Sequence, residues 1–132
     1  MSTAVFLVED EPADADLICE LLEGEYHIEV SGTVSEAVST IKALSADQSV
    51  PELVILDLRL PDGTGFDVLE VIRTEMGLDQ LPVVIMTNSA SHFDRSRAQE
   101  LDADEYQTKP MDIDDYRKMV LSLEERYLTN GS

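Results

Sequence analysis

The sequence offers few ways to stabilise a fold other than a hydrophobic core. Cys19 is its only cysteine, so an internal disulfide framework and a cysteine-based zinc site are excluded. No stretch approaches the roughly 18 consecutive apolar residues that a membrane-spanning helix requires. The N-terminus also lacks the positively charged and apolar regions of a secretory signal. We therefore expect a cytoplasmic protein with no membrane segment.

Basic residues are scarce. Lysine and arginine together number 9 against 28 aspartates and glutamates, which gives a formal net charge of −19. Such a charge repels nucleic-acid backbones and anionic lipid head groups, so we expect neither as a partner. The acidic residues are spread over the helical segments, and their repulsion is tolerated where salt screens it, with a Debye length of about 3 Å at 1 M. A halophilic source is the favoured hypothesis, and an acidic mesophilic protein with a basic partner is the alternative.

The length and the hydrophobic pattern predict the fold class. A chain of 132 residues corresponds to one domain, so we expect a single domain over residues 1–132 and no output domain. Short runs that are apolar on both faces alternate with segments of helical spacing, which is typical of a parallel sheet. This pattern predicts an α/β fold: an open, doubly wound, five-stranded parallel sheet with helices on both faces. The predicted strands are Ala4–Val8, His27–Ser31 at an edge, Leu53–Leu56, Val83–Met86 and Glu105–Thr108.

Start signals mark the helices between the strands. Pro12 suits the first turn of the first helix, Thr33 and Ser35 can cap the second, and Gly65 opens the third. Asp112 can cap the last helix, whose apolar residues share one face. That face is predicted to comprise Ile113, Tyr116, Val120, Leu123 and Tyr127.

The segment Ser91–Leu101 is the weakest predicted helix. It offers only Phe93, Ala98 and Leu101 to a core, and the rest of it is polar. Helices held by so few apolar contacts move at low cost, so we expect this element to take part in any switching motion.

Chemically complementary residues follow four of the strands. Glu9 and Asp10 follow the first, Asp57 the third, Thr87 the fourth and Lys109 the fifth. Ligands of open α/β sheets bind at the carboxyl ends of the strands, so we expect these side chains to share one crevice. Clustered carboxylates without histidine or cysteine favour Mg²⁺ or a similar ion. A lysine and a hydroxyl beside that ion could hold a phosphoryl group, with Asp57 as its acceptor. Taken singly, each residue is more often a cap, a turn residue or a surface group.

The motifs around these residues resemble the response-regulator receiver domain of two-component signalling. The resemblance extends from about Ala4 to Leu128, and its last part is most similar to the stand-alone receivers that partner phytochrome-type sensor kinases. It implies the strand order 2-1-3-4-5. The motifs are Val8-Glu9-Asp10-Glu11, Leu56-Asp57-Leu58, Leu60-Pro61-Asp62-Gly63-Thr64-Gly65, Met86-Thr87 and Thr108-Lys109-Pro110.

The resemblance also implies roles for individual residues. Asp57 would accept a phosphoryl group from a phosphohistidine of a sensor histidine kinase. Lys109 and Thr87 would contact its oxygens, and Tyr106 would act as a switch residue that moves with Thr87. A cis peptide bond would precede Pro110. The Mg²⁺ ligands would be Glu9, Asp10, Asp57 and the backbone carbonyl of Arg59.

A receiver of this kind acts through other proteins. With no output domain, the fourth helix, the fifth strand and the fifth helix would form the surface that meets a downstream target or phosphotransfer protein, or a second copy in a homodimer. Phosphorylation would shift this surface, since such coupling is typically worth about 1–3 kcal/mol. The protein would then be a phosphoacceptor signalling domain and not an enzyme acting on outside substrates.

Other functions are possible on the same fold. A Mg²⁺-dependent aspartyl-phosphate phosphatase would place a second Asp two residues after its nucleophile, where Arg59 stands. A flavin or nucleotide carrier would need a phosphate cradle after the first strand, and Glu9, Asp10 and Glu11 would repel phosphate there. A receiver that only docks, without accepting phosphate, is disfavoured by the complete set of site residues.

Overall fold

The computed structural model describes residues 3–128. Five parallel strands alternate with five helices, as the hydrophobic pattern predicts. The strands are β1 (Val5–Val8), β2 (Ile28–Ser31), β3 (Leu53–Leu56), β4 (Val83–Thr87) and β5 (Glu105–Thr108). The helices are α1 (Pro12–Leu21), α2 (Val34–Ala46), α3 (Gly65–Glu70), α4 (His92–Glu100) and α5 (Ile113–Tyr127).

The sheet has the strand order β2-β1-β3-β4-β5, which confirms the predicted doubly wound topology. Val8 lies opposite Ser31 on one side and Leu56 on the other, so β1, β2 and β3 end at the same level. Thr87 pairs with Thr108 at the matching end of β4 and β5. Residues that follow the strands therefore meet along one edge of the sheet. A short antiparallel pair, Arg59–Leu60 with Gly63–Thr64, lies between β3 and α3.

Helices cover both faces of the sheet and create two cores. Leu7 belongs to the core under α1 and α5, and its neighbour Phe6 belongs to the core under α2, α3 and α4. Consecutive strand residues point to opposite faces, so one central strand contributes to both cores. This is why the central strands are apolar at every position.

The predicted helix starts are confirmed, and of the two candidate caps of α2 it is Thr33, not Ser35, that caps the helix. α1 begins at Pro12, and α3 begins at Gly65. The Thr33 side chain accepts a hydrogen bond from the N–H of Glu36, and Asp112 accepts one from the N–H of Asp115. Each cap satisfies a backbone donor that the helix itself cannot pair.

Two apolar residues do not lie where their spacing predicts. Phe93 is 84% exposed and Ile113 is 49% exposed, although both were assigned to core-facing positions. Each stands in the first turn of its helix, where its side chain lies in solvent. Ala98 of α4 and Val120 of α5 are buried as predicted.

The third helix is not regular to its end. A π-helical turn over Val71–Glu75 continues α3 and places Ile72 in the core. Among residues 3–128, no helix combines the length and the hydrophobicity needed to span a membrane.

Candidate functional site

Backbone hydrogen bonds extend the sheet past the strand ends and position the residues that follow. The N–H of Glu9 donates to the carbonyl of Ser31 at 2.9 Å, and the N–H of Asp57 donates to the carbonyl of Val8 at 3.0 Å. The N–H of Lys109 donates to the carbonyl of Thr87 at 2.8 Å. These bonds aim the three charged side chains from rigid backbone into the same crevice.

Gly65 lets the backbone pass close to Asp57. A Cβ at this position would lie 2.3 Å from the carbonyl oxygen of Asp57. The N–H of Gly65 donates to the carbonyl of Leu58 at 3.0 Å. Any larger residue would push the loop away from the end of β3. The glycine therefore helps to place the Asp57 loop against the start of α3.

Lys109 lies at the centre of the site. Its Nζ atom is 2.6 Å from Glu9 Oε1 and 3.0 Å from Asp57 Oδ2. A third carboxylate, Asp14, approaches Nζ at 3.0 Å through Oδ2. The side chains of Lys109, Glu9 and Asp57 are 4%, 2% and 9% exposed, so the central ion pairs are screened little by solvent.

Three carboxylates form a group that suits a metal ion. Glu9, Asp10 and Asp57 each offer an oxygen within 4.8 Å of the other two. All the donors are hard oxygen atoms, which hard divalent cations such as Mg²⁺ prefer. Asp10 is exposed and the other two are buried, so the group opens to solvent on one side. The chemistry of these donors therefore fits a divalent cation.

The site carries more negative charge than Lys109 can balance. Burial, with the nearby charge of Asp57, raises the pKa of Glu9 to about 7, against a lowering effect of its hydrogen bond with Lys109. The hydrogen bonds of Lys109 with Glu9 and Asp57 outweigh burial and raise the lysine pKa above its usual range. An added cation would relieve the excess negative charge.

Thr87 begins a network that leads from the site to α4. Its side chain is fully buried at the end of β4, and its hydroxyl accepts a hydrogen bond from the N–H of Ser89 at 3.4 Å. The hydroxyl of Ser89 donates to Asp94 Oδ2 at 2.5 Å, and it accepts from the N–H of Ser91 at 3.2 Å. The loop after Thr87 is thus tied to the first turn of α4.

Tyr106 joins β5 to the same loop. Its hydroxyl donates to the carbonyl oxygen of Ser89 at 2.7 Å. The Arg95 guanidinium carbon lies 4.7 Å from the ring centroid, which allows a cation–π contact. The ring is half-buried and packs against the core under α2, α3 and α4. A movement of the loop after Thr87 would therefore disturb a hydrogen bond of Tyr106.

The structure brings together the residues that the sequence places at the strand ends. Glu9, Asp10, Asp57 and Lys109 meet in one crevice, and the backbone of Thr87 contacts that of Lys109. Arg59 is exposed, and its N–H donates to Asp57 Oδ1 at 3.4 Å.

One expectation about the site is wrong. Residues 3–128 contain no cis peptide bond, so the Lys109–Pro110 bond is trans. The trans form is the more stable one by about 0.5–1 kcal/mol for a bond that precedes proline. Lys109 is oriented instead by its three carboxylate partners.

Sequence reasoning missed two residues near the site. Asp14 lies four residues after Asp10, but Asp10 precedes α1, so this spacing does not place the two on one helix face. Tyr116 of α5 is buried close enough for the charges of Asp14 and Lys109 to act on its pKa. Nothing local in the sequence of α5 distinguishes this tyrosine from an ordinary core aromatic.

The strand order and the acidic crevice with its central lysine define a flavodoxin-like α/β domain of the signal-receiver class. The chain belongs to the response regulator receiver domain family, which matches residues 5–121. It is accordingly a receiver domain of two-component signalling, and such a domain is a signalling module and not a member of a classical enzyme family.

Relatives support this placement over most of the chain. Response regulator Rcp1 of Synechocystis sp. is 33% identical over 129 residues, covering 94% of this chain and 88% of that protein. A crystal structure of the phosphorylated cyanobacterial phytochrome response regulator RcpA has a TM-score of 0.88 at 29% identity, covering 100% of this chain and 98% of that one. The Mn²⁺-bound form of Rcp1 has a TM-score of 0.83, also at 29% identity, covering 98% of this chain and 97% of that one.

Other relatives are longer proteins. The DNA-binding dual master transcriptional regulator RpaA of Synechocystis sp. is 32% identical over 121 residues, which are 90% of this chain and 48% of that protein. The chain thus spans about half the length of several curated relatives that it matches.

Proposed function

We propose that Asp57 is the phosphoacceptor of a phosphorylation-controlled signalling switch, and that a sensor histidine kinase is its donor. The observation that carries the proposal is the position of Lys109 Nζ, which is 3.0 Å from Asp57 Oδ2 in a buried crevice. This geometry places an ammonium group where a phosphoryl oxygen on Asp57 would need a counter-charge.

The chemical step is a phosphoryl transfer. A carboxylate oxygen of Asp57 forms a bond to phosphorus while the bond between phosphorus and the histidine nitrogen breaks. The other ring nitrogen of the phosphohistidine carries a proton, so the histidine leaves as a neutral imidazole, and the product is an acyl phosphate on Asp57. Lys109 pairs with one phosphoryl oxygen, and the hydroxyl of Thr87 donates to another.

Mg²⁺ is the proposed cofactor. Its protein ligands would be Glu9, Asp10, Asp57 and the backbone carbonyl of Arg59. The cation supplies positive charge that offsets the phosphoryl oxygens. The acidic group supports a divalent ion at this place, and the Mn²⁺-bound form of the relative Rcp1 supports a divalent ion as ligand.

Thr87 and Tyr106 are proposed to carry the signal away from the site. When Thr87 turns to the phosphoryl group, Ser89 follows through the loop, and the hydrogen bond from Tyr106 to its carbonyl must adjust. The hydroxyl of Ser89 also donates to Asp94 of α4, and Ala98 is the one buried residue of that helix. A movement of Ser89 would therefore shift α4. A phosphoryl group adds about −1.5 to −2 charge, enough to bias such an element.

The proposed output surface is formed by α4, β5 and α5. It carries the exposed side chains of Phe93 and Ile113 and a groove of about 250 Å³ beside Tyr106. The exposed ring of Phe93 supports a protein contact here, because aromatic side chains are enriched in the cores of protein interfaces. The partner is a downstream target or a phosphotransfer protein, with a homodimer as the alternative, and the kinase is proposed to be of the phytochrome type because of the similarity to RcpA and Rcp1.

The remaining proposals concern the protein as a whole. We expect a location in the cytoplasm, with neither nucleic acid nor a membrane as partner. The net charge of −19 supports adaptation to high salt and thus a halophilic source.

Incubation with acetyl phosphate tests the phosphoacceptor. We expect an added phosphoryl mass that requires Mg²⁺ and is absent from Asp57→Asn. Asp79→Asn, an exposed aspartate in the loop before β4, is the matched control and should be phosphorylated like the wild type. Phosphorylation of Asp57→Asn at the wild-type level would refute the assignment.

A further inference from the structure

Asp14 differs from the other carboxylates around Lys109. Glu9 and Asp57 belong to the acidic group that suits a metal ion, whereas Asp14 contacts the lysine at 3.0 Å and lies outside that group. It stands in the first turn of α1, and its side chain is 29% exposed. A cation bound to the acidic group would therefore leave the ion pair between Asp14 and Lys109 intact.

Binding of a cation changes what surrounds Lys109. Glu9 and Asp57 now neutralise the ammonium group at 2.6 Å and 3.0 Å. A cation held by Glu9 and Asp57 would share their negative charge with the buried lysine and would repel its ammonium group. A third carboxylate at 3.0 Å then stabilises the lysine in the crevice.

Tyr116 provides a second, independent observation. Its side chain is 5% exposed, and within residues 3–128 its hydroxyl has no hydrogen-bond partner. α5 packs on α1, so the tyrosine lies beside the helix that carries Asp14. Burial, and then the negative charge of Asp14, raise the pKa of Tyr116 to about 12, which leaves its hydroxyl a neutral donor. Buried donors without a partner are rare in native proteins and call for an explanation.

We propose that Asp14 is a positioning residue that holds Lys109 while a divalent cation occupies the acidic group, and that Tyr116 donates its hydroxyl to Asp14 once Lys109 turns to the phosphoryl group. The proposal rests on the proposed function of Asp57. It explains both why a third carboxylate contacts the lysine and why a donor is buried beside it unpaired. On phosphorylation, Asp14 exchanges the ammonium group of Lys109 for the hydroxyl of Tyr116.

A cation titration tests the role of Asp14 without phosphorylation. Mg²⁺ is added to the wild type, Asp14→Asn and Asp16→Asn, and affinity is taken from the rise in melting temperature. Asp16 is an exposed aspartate on the same helix, so its variant loses the same charge away from Lys109. We expect roughly fivefold weaker binding in Asp14→Asn, in keeping with a partly exposed charge, and little change in Asp16→Asn. Equal affinities in the two variants would overturn the proposal.

Beryllium fluoride, a phosphoryl mimic, tests the role of Tyr116. Without ligand, Tyr116→Phe should melt no lower than the wild type, because the hydroxyl that it removes is buried and unpaired, and it should bind Mg²⁺ with the wild-type affinity. The further rise in melting temperature on adding beryllium fluoride should be smaller than in the wild type. An equal rise in both proteins would overturn the proposal.

The two proposals can fail separately. If the wild type accepts no phosphoryl group from acetyl phosphate while Asp14→Asn still weakens Mg²⁺ binding, the role of Asp57 is wrong and the hold of Asp14 on Lys109 stands. If phosphorylation proceeds normally and Asp14→Asn binds Mg²⁺ like the wild type, the role of Asp57 stands and the proposed hold of Asp14 on Lys109 is wrong.

Discussion

The buried carboxyl of Glu9 should make the stability of the metal-free protein depend on pH in an unusual direction. Its pKa is raised to about 7, whereas an unperturbed glutamate has a value of 4.5. Between these values the folded state keeps a proton that the unfolded state has released. Raising the pH through this window therefore favours unfolding.

The size of the effect follows from the two pKa values. At about 1.4 kcal/mol for each pH unit, the rise in the pKa of Glu9 corresponds to about 3 kcal/mol of stability lost between about pH 4.5 and pH 7. The groups that face its carboxylate are Lys109 at 2.6 Å, Asp57 by its charge, and the N–H of Glu11 at 3.2 Å. Divalent cation should abolish the loss, because it replaces the proton as the counter-charge.

Urea unfolding followed by circular dichroism measures this dependence. The protein is kept in EDTA from about pH 4 to about pH 8, which spans the titration of Glu9. Glu9→Gln should flatten the curve by about 3 kcal/mol relative to the wild type. Glu20→Gln, an exposed residue on α1, should leave it unchanged and controls for the repulsion that the whole acidic chain contributes. Parallel curves for the wild type and Glu9→Gln would refute the reasoning.

Three further predictions concern stability away from the site. Arg73→Met should lower the free energy of unfolding by about 2–4 kcal/mol, because its guanidinium donates to the carbonyls of Leu78 at 2.6 Å and Leu81 at 2.7 Å. Urea unfolding tests this, and a loss under about 0.5 kcal/mol would contradict it. Phe93→Ser should change the same quantity by less than about 0.5 kcal/mol, since the ring is 84% exposed, and a larger loss would mean that the ring packs. The melting temperature should rise with KCl up to molar concentrations, and a flat or falling series would count against adaptation to high salt.

Local patterns in the sequence were sufficient for the architecture and for most of the crevice. Strands and helices follow from the spacing of apolar residues within short stretches of the sequence. The strands and the start of α1 at Pro12 could therefore be predicted within a residue or so. Parallel strands end at a common edge, so Asp57 and Lys109 could be placed together although 52 positions separate them.

Only the tertiary structure decided how the crevice is completed and where the helix ends lie. The contact between Asp14 and Lys109 joins residues 95 positions apart, and it exists because α1 packs on α5 beside the strand ends. The same packing buries the hydroxyl of Tyr116. Phe93 has the spacing of a core residue, yet it stands in the first turn of α4 with its ring in solvent. Periodicity records which face of an element is apolar, but which surface that face meets depends on the assembled fold.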